Sequence, residues 1–491
     1  HSAARAVAAE LKRRGHTAVF LDPFTLAGRK TAAVVGNSYI RLVQNSPGFF
    51  GFVYSLGEAY RHLPVSSPVF QVNSLLSKRM KRYLEQNHFD LILMTHMYPA
   101  HILTALRKKS VELPKTIQIA TDYTCIPFLE EGVCDYYVIP SQELAGEFTA
   151  RGIPAEKLLP FGIPVNRKFT LSFSQRQARK KLGLPEDGMR CLLAGGSIGA
   201  GDIPRAAGIL RTFLAGEKNG TLVVICGKRR GLYESLLKKY RNDGQVRILE
   251  STPRMAEYMR ACDIFLTKPG GLSSTEAAVT GVPLILLSPI PGCETHNAAW
   301  FSSHDMALTA EHPQTDLFPA LTALQNEAGL KEKMLKAQRT CINPDSTRDL
   351  YDFAESLLWT PSEKLRFRPA PRPSRTLSAL RRDPRLSQAD AAVVAGNLFI
   401  HIYRKAVPLQ QCSAAFLKQN IGEHASAQGC LADPGLLPEP AAHLKHHFSH
   451  RLMKGQGKRL NLLRYRKLLR RVKLLRCRKL LSRRRFRRLL C

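Results

Sequence analysis

The stretch Asp263–Ile285, DIFLTKPGGLSSTEAAVTGVPLI, decides how the chain is read. An apolar run, Ile264–Thr267, ends in Lys-Pro-Gly-Gly. Three hydroxyl residues, Glu276 and a helical pattern follow, and a second apolar run begins at Leu284. Strand, glycine turn, helix and strand make one step of an α/β protein. The turn has two readings. It is a tight βα connection, or it is a seat for phosphate, because glycines admit close backbone approach and a helix N-terminus favours anions.

The rest of the chain repeats the step. Ala18–Leu21, Leu91–Thr95, Ile117–Thr121, Tyr136–Ile139, Cys191–Ala194, Leu222–Cys226, Val246–Leu249, Ile264–Thr267 and Leu284–Leu287 are short and apolar on both faces, as parallel strands between helix layers are. Helical patterns lie between many of them. The expected fold class is α/β, with two Rossmann-like parallel-sheet domains. The join falls near GIPVNRKF, Gly162–Phe169. The expected divisions are residues 1–165, 166–344, a closing helix over 345–360, and a basic tail over 361–491, disordered or partly helical. The chain opens on a helix, SAARAVAAELKRRG, where a doubly wound domain has a strand and turn first. A preceding strand is therefore expected, and the sequence reads as a fragment.

Charge is uneven. The chain carries +34, but 30 Lys and Arg stand against 6 Asp and Glu from Pro361 onward, leaving +10 for the first 360 residues. The segment from Arg451, mostly Arg, Lys and Leu, has the pattern of a basic amphipathic helix or of an unstructured tail. A polyanion-binding protein is the non-enzymatic reading. Tyr465 and Phe486 alone interrupt those cations with aromatics, which argues against specific nucleic-acid recognition. Eleven scattered Cys with no Cys-x-x-Cys point to a reducing compartment rather than a disulfide framework or zinc site. No apolar run approaches about 18 residues, so no spanning helix is expected.

Two further loops carry chemistry. LLAGGSIGAGDI, Leu192–Ile203, is a second strand–glycine–helix turn, with Gly195, Gly196 and Ser197 facing any ligand and a helix starting near Asp202. Two such loops in one sheet argue for phosphate more strongly than one. In the first loop, Gly270 and Gly271 are followed by Ser273, Ser274 and Thr275, expected at or near the helix N-cap. Glu276 next to them either favours the helix dipole or accepts hydrogen bonds from a ribose diol. SPIPGCETHNAAWF, Ser288–Phe301, follows the next strand; there Glu294 and Asn297 could bind sugar hydroxyls, or Thr295 or Asn297 could cap a helix.

Together, GGSIGAG, TKPGGLSSTEA and PGCETHN resemble the donor half of GT-B glycosyltransferases of family 28. The likeness is to the lipid enzymes of the monogalactosyldiacylglycerol synthase and processive diacylglycerol glucosyltransferase type. TDYTCIPFLEEGVCDYYVIPS and FGIPVN fit the acceptor half, so the resemblance covers roughly residues 1–358. It implies inverting transfer of a hexose from a UDP-sugar to diacylglycerol or a glycosyl-diacylglycerol. Glu276 would hold the ribose; Gly195, Gly196, Ser197 and the Gly270–Thr275 turn would face the diphosphate. Glu294 and Asn297 would face the hexose, and Met255 would lie near the base. Lys268 is a possible added cation, or a solvated lysine. The family usually has Gln where this chain has Cys293, which leaves the hexose open. It often has His where this chain has Cys125 and Ile126. His1 and Asp122 are the candidate bases, although the spacing of His1 to Ser2-Ala3 fits the residue after the family's histidine better.

No Asp-x-Asp pair occurs, so no metal is expected, and helix dipoles and loop N–H groups would take the leaving diphosphate. Expected partners are a UDP-hexose, a diacylglycerol-type acceptor and an anionic membrane surface. The expected location is cytoplasmic, peripheral on the inner face of the cell membrane. The aromatic stretch Pro47–Pro64 and the cations of KRMKRYLEQ would meet lipid, or form a buried helix and a solvated face. His96 and His101 either line the cleft or are packed. Rival enzymes on this layout are a peptidoglycan-precursor N-acetylglucosamine transferase and a sugar-nucleotide epimerase.

Overall fold

The computed structural model describes residues 2–63, 65–196, 199, 201–359 and 399–403. Twelve strands form two six-stranded sheets among them. The first contains β1 (Thr17–Leu21), β2 (Leu91–Met94), β3 (Lys115–Ile119), β4 (Tyr136–Val138), β5 (Leu158–Leu159) and β12 (Phe399–Tyr403) in the order β1-β12-β2-β3-β4-β5. β2 through β5 pair in parallel. The second contains β6 (Arg190–Ala194), β7 (Thr221–Ile225), β8 (Val246–Leu249), β9 (Ile264–Thr267), β10 (Leu284–Leu287) and β11 (Leu308–Ala310), all parallel, in the order β11-β10-β9-β6-β7-β8. That is the doubly wound nucleotide-binding order. β6, β7, β9 and β10 are buried throughout, as their unbroken apolar runs require of strands covered by helices on both faces.

The expected strands are present, most within a residue or two of the bounds read from the sequence. β5, β11 and β12 were not expected. β12 corrects the expectation of a tail without strands. It runs antiparallel between β1 and β2, the place a doubly wound domain gives to the strand before its first helix. The basic segment from Arg451 lies outside the described residues.

The helix Ser346–Trp359 ties the chain back to its start. Leu350, Tyr351 and Ala354 pack on Ala4, Val7, Ala8 and Leu11 of the helix Ser2–Arg13 and on β2 and β3. Ser346 Oγ and Thr347 Oγ1 donate to Ile163 O (2.9 Å) and Val165 O (2.7 Å), anchoring the linker between the sheets. Elsewhere caps fix helix ends: Ser174 and Gln177 form a reciprocal capping box, and Gly183, at φ +60°, ends that helix.

Candidate functional site

In the second sheet the chain departs from β6 toward β7 on one side and from β9 toward β10 on the other. β6 and β9 are neighbours, so the crevice between their C-terminal ends is the topological switch point, where α/β sheets bind ligands. Both glycine loops are there. Gly195 is buried directly after β6, and Gly196, Gly199 and Gly201 take φ of +68°, +61° and +93°. Gly199 packs so closely on Cys226 O that a Cβ would lie 2.4 Å from it. Ser197 and His1 lie outside the described residues.

The loop after β9 leans on the first. A Cβ on Gly196 would lie 3.2 Å from Lys268 Cε, so the lysine stem crosses the glycine turn. Lys268 Nζ donates to Glu294 Oε1, and Glu294 Oε2 accepts from Ile290 N at 3.1 Å. Both side chains are largely buried, and burial lowers the Lys268 pKa. Cys293 stays a neutral thiol: burial first, then the Asp122 carboxylate, pushes it well above its usual range.

The hydroxyl cluster differs from expectation. Gly270 is the N-cap of the helix Gly271–Thr280, so Ser273, Ser274 and Thr275 are inside it. The reason is contact. A Cβ on Gly271 would lie 2.1 Å from Thr121 O, and the helix start abuts the chain beyond β3. Thr275 Oγ1 donates to Gly271 O and pairs with Tyr123 OH at 2.7 Å. Ser274 Oγ is buried without a partner among the described residues. The third loop also starts its helix earlier, at Cys293, with Gly292 as N-cap instead of Thr295 or Asn297.

Asn297 is fully buried and its amide is committed to protein. Nδ2 donates to Asp122 Oδ1 (2.9 Å) and Pro269 O (3.0 Å), and Oδ1 accepts from Tyr123 N (2.7 Å). It holds Asp122 at the cleft; the amide has no free group turned to a hexose. Tyr123, not singled out in the sequence, belongs to the second domain's core, stacked 4.2 Å from Trp300 and edge-on to Phe301.

Glu276 is half-buried in the second turn of its helix. Its carboxylate accepts no hydrogen bond from any described residue, and burial raises its pKa to about 7, with Lys168 pulling the other way. A half-buried acid in the second turn of the helix that leaves the switch point, with its acceptors open among the described residues, can bind a diol. Met255 opens the helix Met255–Ala261 and packs against the core. His96 caps a helix through Tyr98 N, and His101 is buried between Asn73 and Phe128 O, so these histidines are structural.

The strand orders, the returning helix and the two glycine loops at a switch point define a two-domain GT-B protein. Residues 1–165 match the family model for monogalactosyldiacylglycerol synthase, and residues 190–348 match the C-terminal domain of glycosyltransferase family 28. The chain belongs to glycosyltransferase family 28, with the diacylglycerol glycosyltransferases. It is 28% identical over 280 residues to a processive diacylglycerol beta-glucosyltransferase of Staphylococcus saprophyticus, covering 56% of this chain and 68% of that one. It is 30% identical over 227 residues to the enzyme of the same name from Staphylococcus aureus, covering 46% and 56%. Among solved structures, it is similar to Acinetobacter baumannii MurG (TM-score 0.42, 17% identity, 58% of this chain and 78% of that one). It is also similar to the UDP-GlcNAc 2-epimerase of Neisseria meningitidis (TM-score 0.45, 11% identity, 60% and 84%).

Proposed function

We propose that the protein transfers a hexose, galactose or glucose, from a UDP-sugar to a hydroxyl of diacylglycerol or a glycosyl-diacylglycerol at a membrane surface. The observation that carries this is the pair of glycine loops at the switch point, with the Glu276 carboxylate, unpartnered among the described residues, in the helix that follows the second loop. Glu276 takes the ribose diol. Gly195, Gly196 and the turn at Gly270 and Gly271 face the diphosphate, and Met255 lies toward the base. Lys268, with Glu294 as its counter-ion, crosses the glycine turn where charge develops as UDP leaves.

Asp122 is the candidate base. It sits beyond β3, facing the second domain, with Oδ1 held by Asn297. The acceptor hydroxyl gives its proton to Asp122 and attacks the anomeric carbon as the C–O bond to UDP breaks, with inversion. Loop N–H groups and Lys268 then stabilise the diphosphate, so the reading calls for no metal.

The acceptor side supports a lipid surface. The helix Pro47–Tyr60 turns Phe49, Phe52, Val53 and Leu56 to solvent, each more than two-fifths exposed, and Leu63 and Val65 extend the patch. Lys78, Arg79, Lys81 and Arg82 are exposed on the helix Ser77–Gln86. An exposed apolar helix face and an exposed cationic helix in one domain suit an anionic interface. No helix among the described residues is long and apolar enough to cross a membrane. The test is to incubate the protein with vesicles containing diacylglycerol and anionic lipid, supplying UDP-glucose or UDP-galactose. Hexosyl-diacylglycerol should form; UDP-sugar consumption without glycolipid would contradict the acceptor assignment.

A further inference from the structure

The helix Pro47–Tyr60 is more than a surface element. Its outer face is the apolar patch, and its inner face crosses to the second domain. A Cβ on Gly51 would lie 2.5 Å from Pro291 Cβ, and a Cβ on Gly292 would lie 2.9 Å from the Tyr54 ring. Gly57, on the same inner face, packs on Pro127 and Phe128 of the first domain. Glycine is unfavourable inside a helix, and here Gly51 and Gly57 remove side chains where the helix meets both domains.

This placement lays the Tyr54 ring on Gly292, at the start of the helix that carries Cys293, Glu294 and Asn297. The Tyr54 hydroxyl is buried and has no hydrogen-bond partner among the described residues. Burial first, then the nearby Cys293, Glu58 and Asp122, raises its pKa, so it remains a neutral O–H donor. A buried hydroxyl with its bonds unmade costs free energy unless a ligand completes it. Its neighbours are the Cys293 thiol, the Glu58 carboxylate and the candidate base Asp122, with the Gly292 loop against its ring; on the UDP-sugar reading the transferred hexose lies beside that base.

We propose that Tyr54 is a specificity-determining residue, whose hydroxyl reaches from the acceptor domain to donate a hydrogen bond to a hydroxyl of the transferred hexose. This rests on the UDP-sugar reading above. It also assigns the bridging helix a part in donor binding besides its lipid-facing surface.

The test is Tyr54→Phe in the full chain, compared with the parent by calorimetry with UDP, UDP-glucose and UDP-galactose, and by thermal unfolding without ligand. UDP affinity should be unchanged. Affinity for the preferred UDP-hexose should fall about three- to tenfold, as expected when one neutral hydrogen bond is lost, and the ratio between the two hexoses should move toward one. The unliganded variant should melt at the same temperature as the parent or higher. Equal UDP-hexose affinity in variant and parent would overturn the proposal. So would an equal loss for UDP alone, which would make Tyr54 a structural support. If the parent binds no UDP at all, the underlying UDP-sugar reading fails instead, which is a separate result.

Discussion

Asn297, on the helix after β10, donates from Nδ2 to Asp122 Oδ1 at 2.9 Å, joining residues 175 positions apart across the two domains. The same amide accepts from Tyr123 N, and Tyr123 is inserted between Thr275 and Trp300. The candidate base is therefore positioned by the domain proposed to bind the donor.

Asn297→Ala should leave Asp122 unsupported and Tyr123 N and Pro269 O without this partner. A loss of about 2–3 kcal/mol in folding stability is expected, because each orphaned buried group costs about 1–3 kcal/mol and relaxation recovers part. Denaturant unfolding measures it. Turnover should fall at saturating donor. Asp122→Asn should abolish turnover while leaving UDP affinity near that of the parent.

Glu276 predicts a pH dependence. A diol donates to the ionised carboxylate, so UDP affinity should rise as pH increases through about 7. The sign for the unliganded fold is opposite. The folded pKa is raised from 4.5, so this group favours folding most below 4.5, and the contribution is lost as pH rises toward about 7. Glu276→Gln should flatten both profiles, seen by calorimetry and thermal unfolding between pH 5 and pH 8.

Lys268→Ala removes one partner of a buried ion pair and leaves Glu294 charged. About 3–5 kcal/mol of destabilisation is expected. Lys268→Met with Glu294→Gln avoids the stranded charge and should recover most of that stability. Turnover of the double variant should still fall roughly 10²–10³-fold, the usual loss when one group stabilising developing charge is removed.

Two glycines give opposite results. Gly271→Ala places a methyl 2.1 Å from Thr121 O, a backbone atom that must move, and should destabilise by about 1–3 kcal/mol. Gly208, within the helix Ile203–Phe213, has open space, and Gly208→Ala should stabilise by about 0.5–1 kcal/mol. Thermal unfolding of both variants checks the close approach at Gly271.

The long parallel strands were legible because burial on both faces leaves unbroken apolar runs, as in LILL of β10. β5 has two residues, and β11, LTA, is short, part-polar and only partly buried, so neither stands out from a loop. β12 was hidden because its partners, β1 and β2, lie about 300 or more residues earlier in the chain. The glycine loops were legible from residue type alone. The commitments of Asn297 and Tyr123 were not, because both are made between domains. Asn297 has the same side chain whether it binds a sugar or braces a carboxylate, and only the fold distinguishes these. Tyr54 was within a stretch marked for its aromatics, and its inward direction depends on Gly51 and Gly292, which are far apart in sequence.

The most direct test of the central claim is calorimetric titration of UDP into the full chain, beside Glu276→Ala. The parent should bind, and the variant should lose about 1–3 kcal/mol, the cost of hydrogen bonds to the diol left unmade. A folded parent that binds neither UDP nor a UDP-hexose would contradict it, as would a Glu276→Ala variant with undiminished affinity.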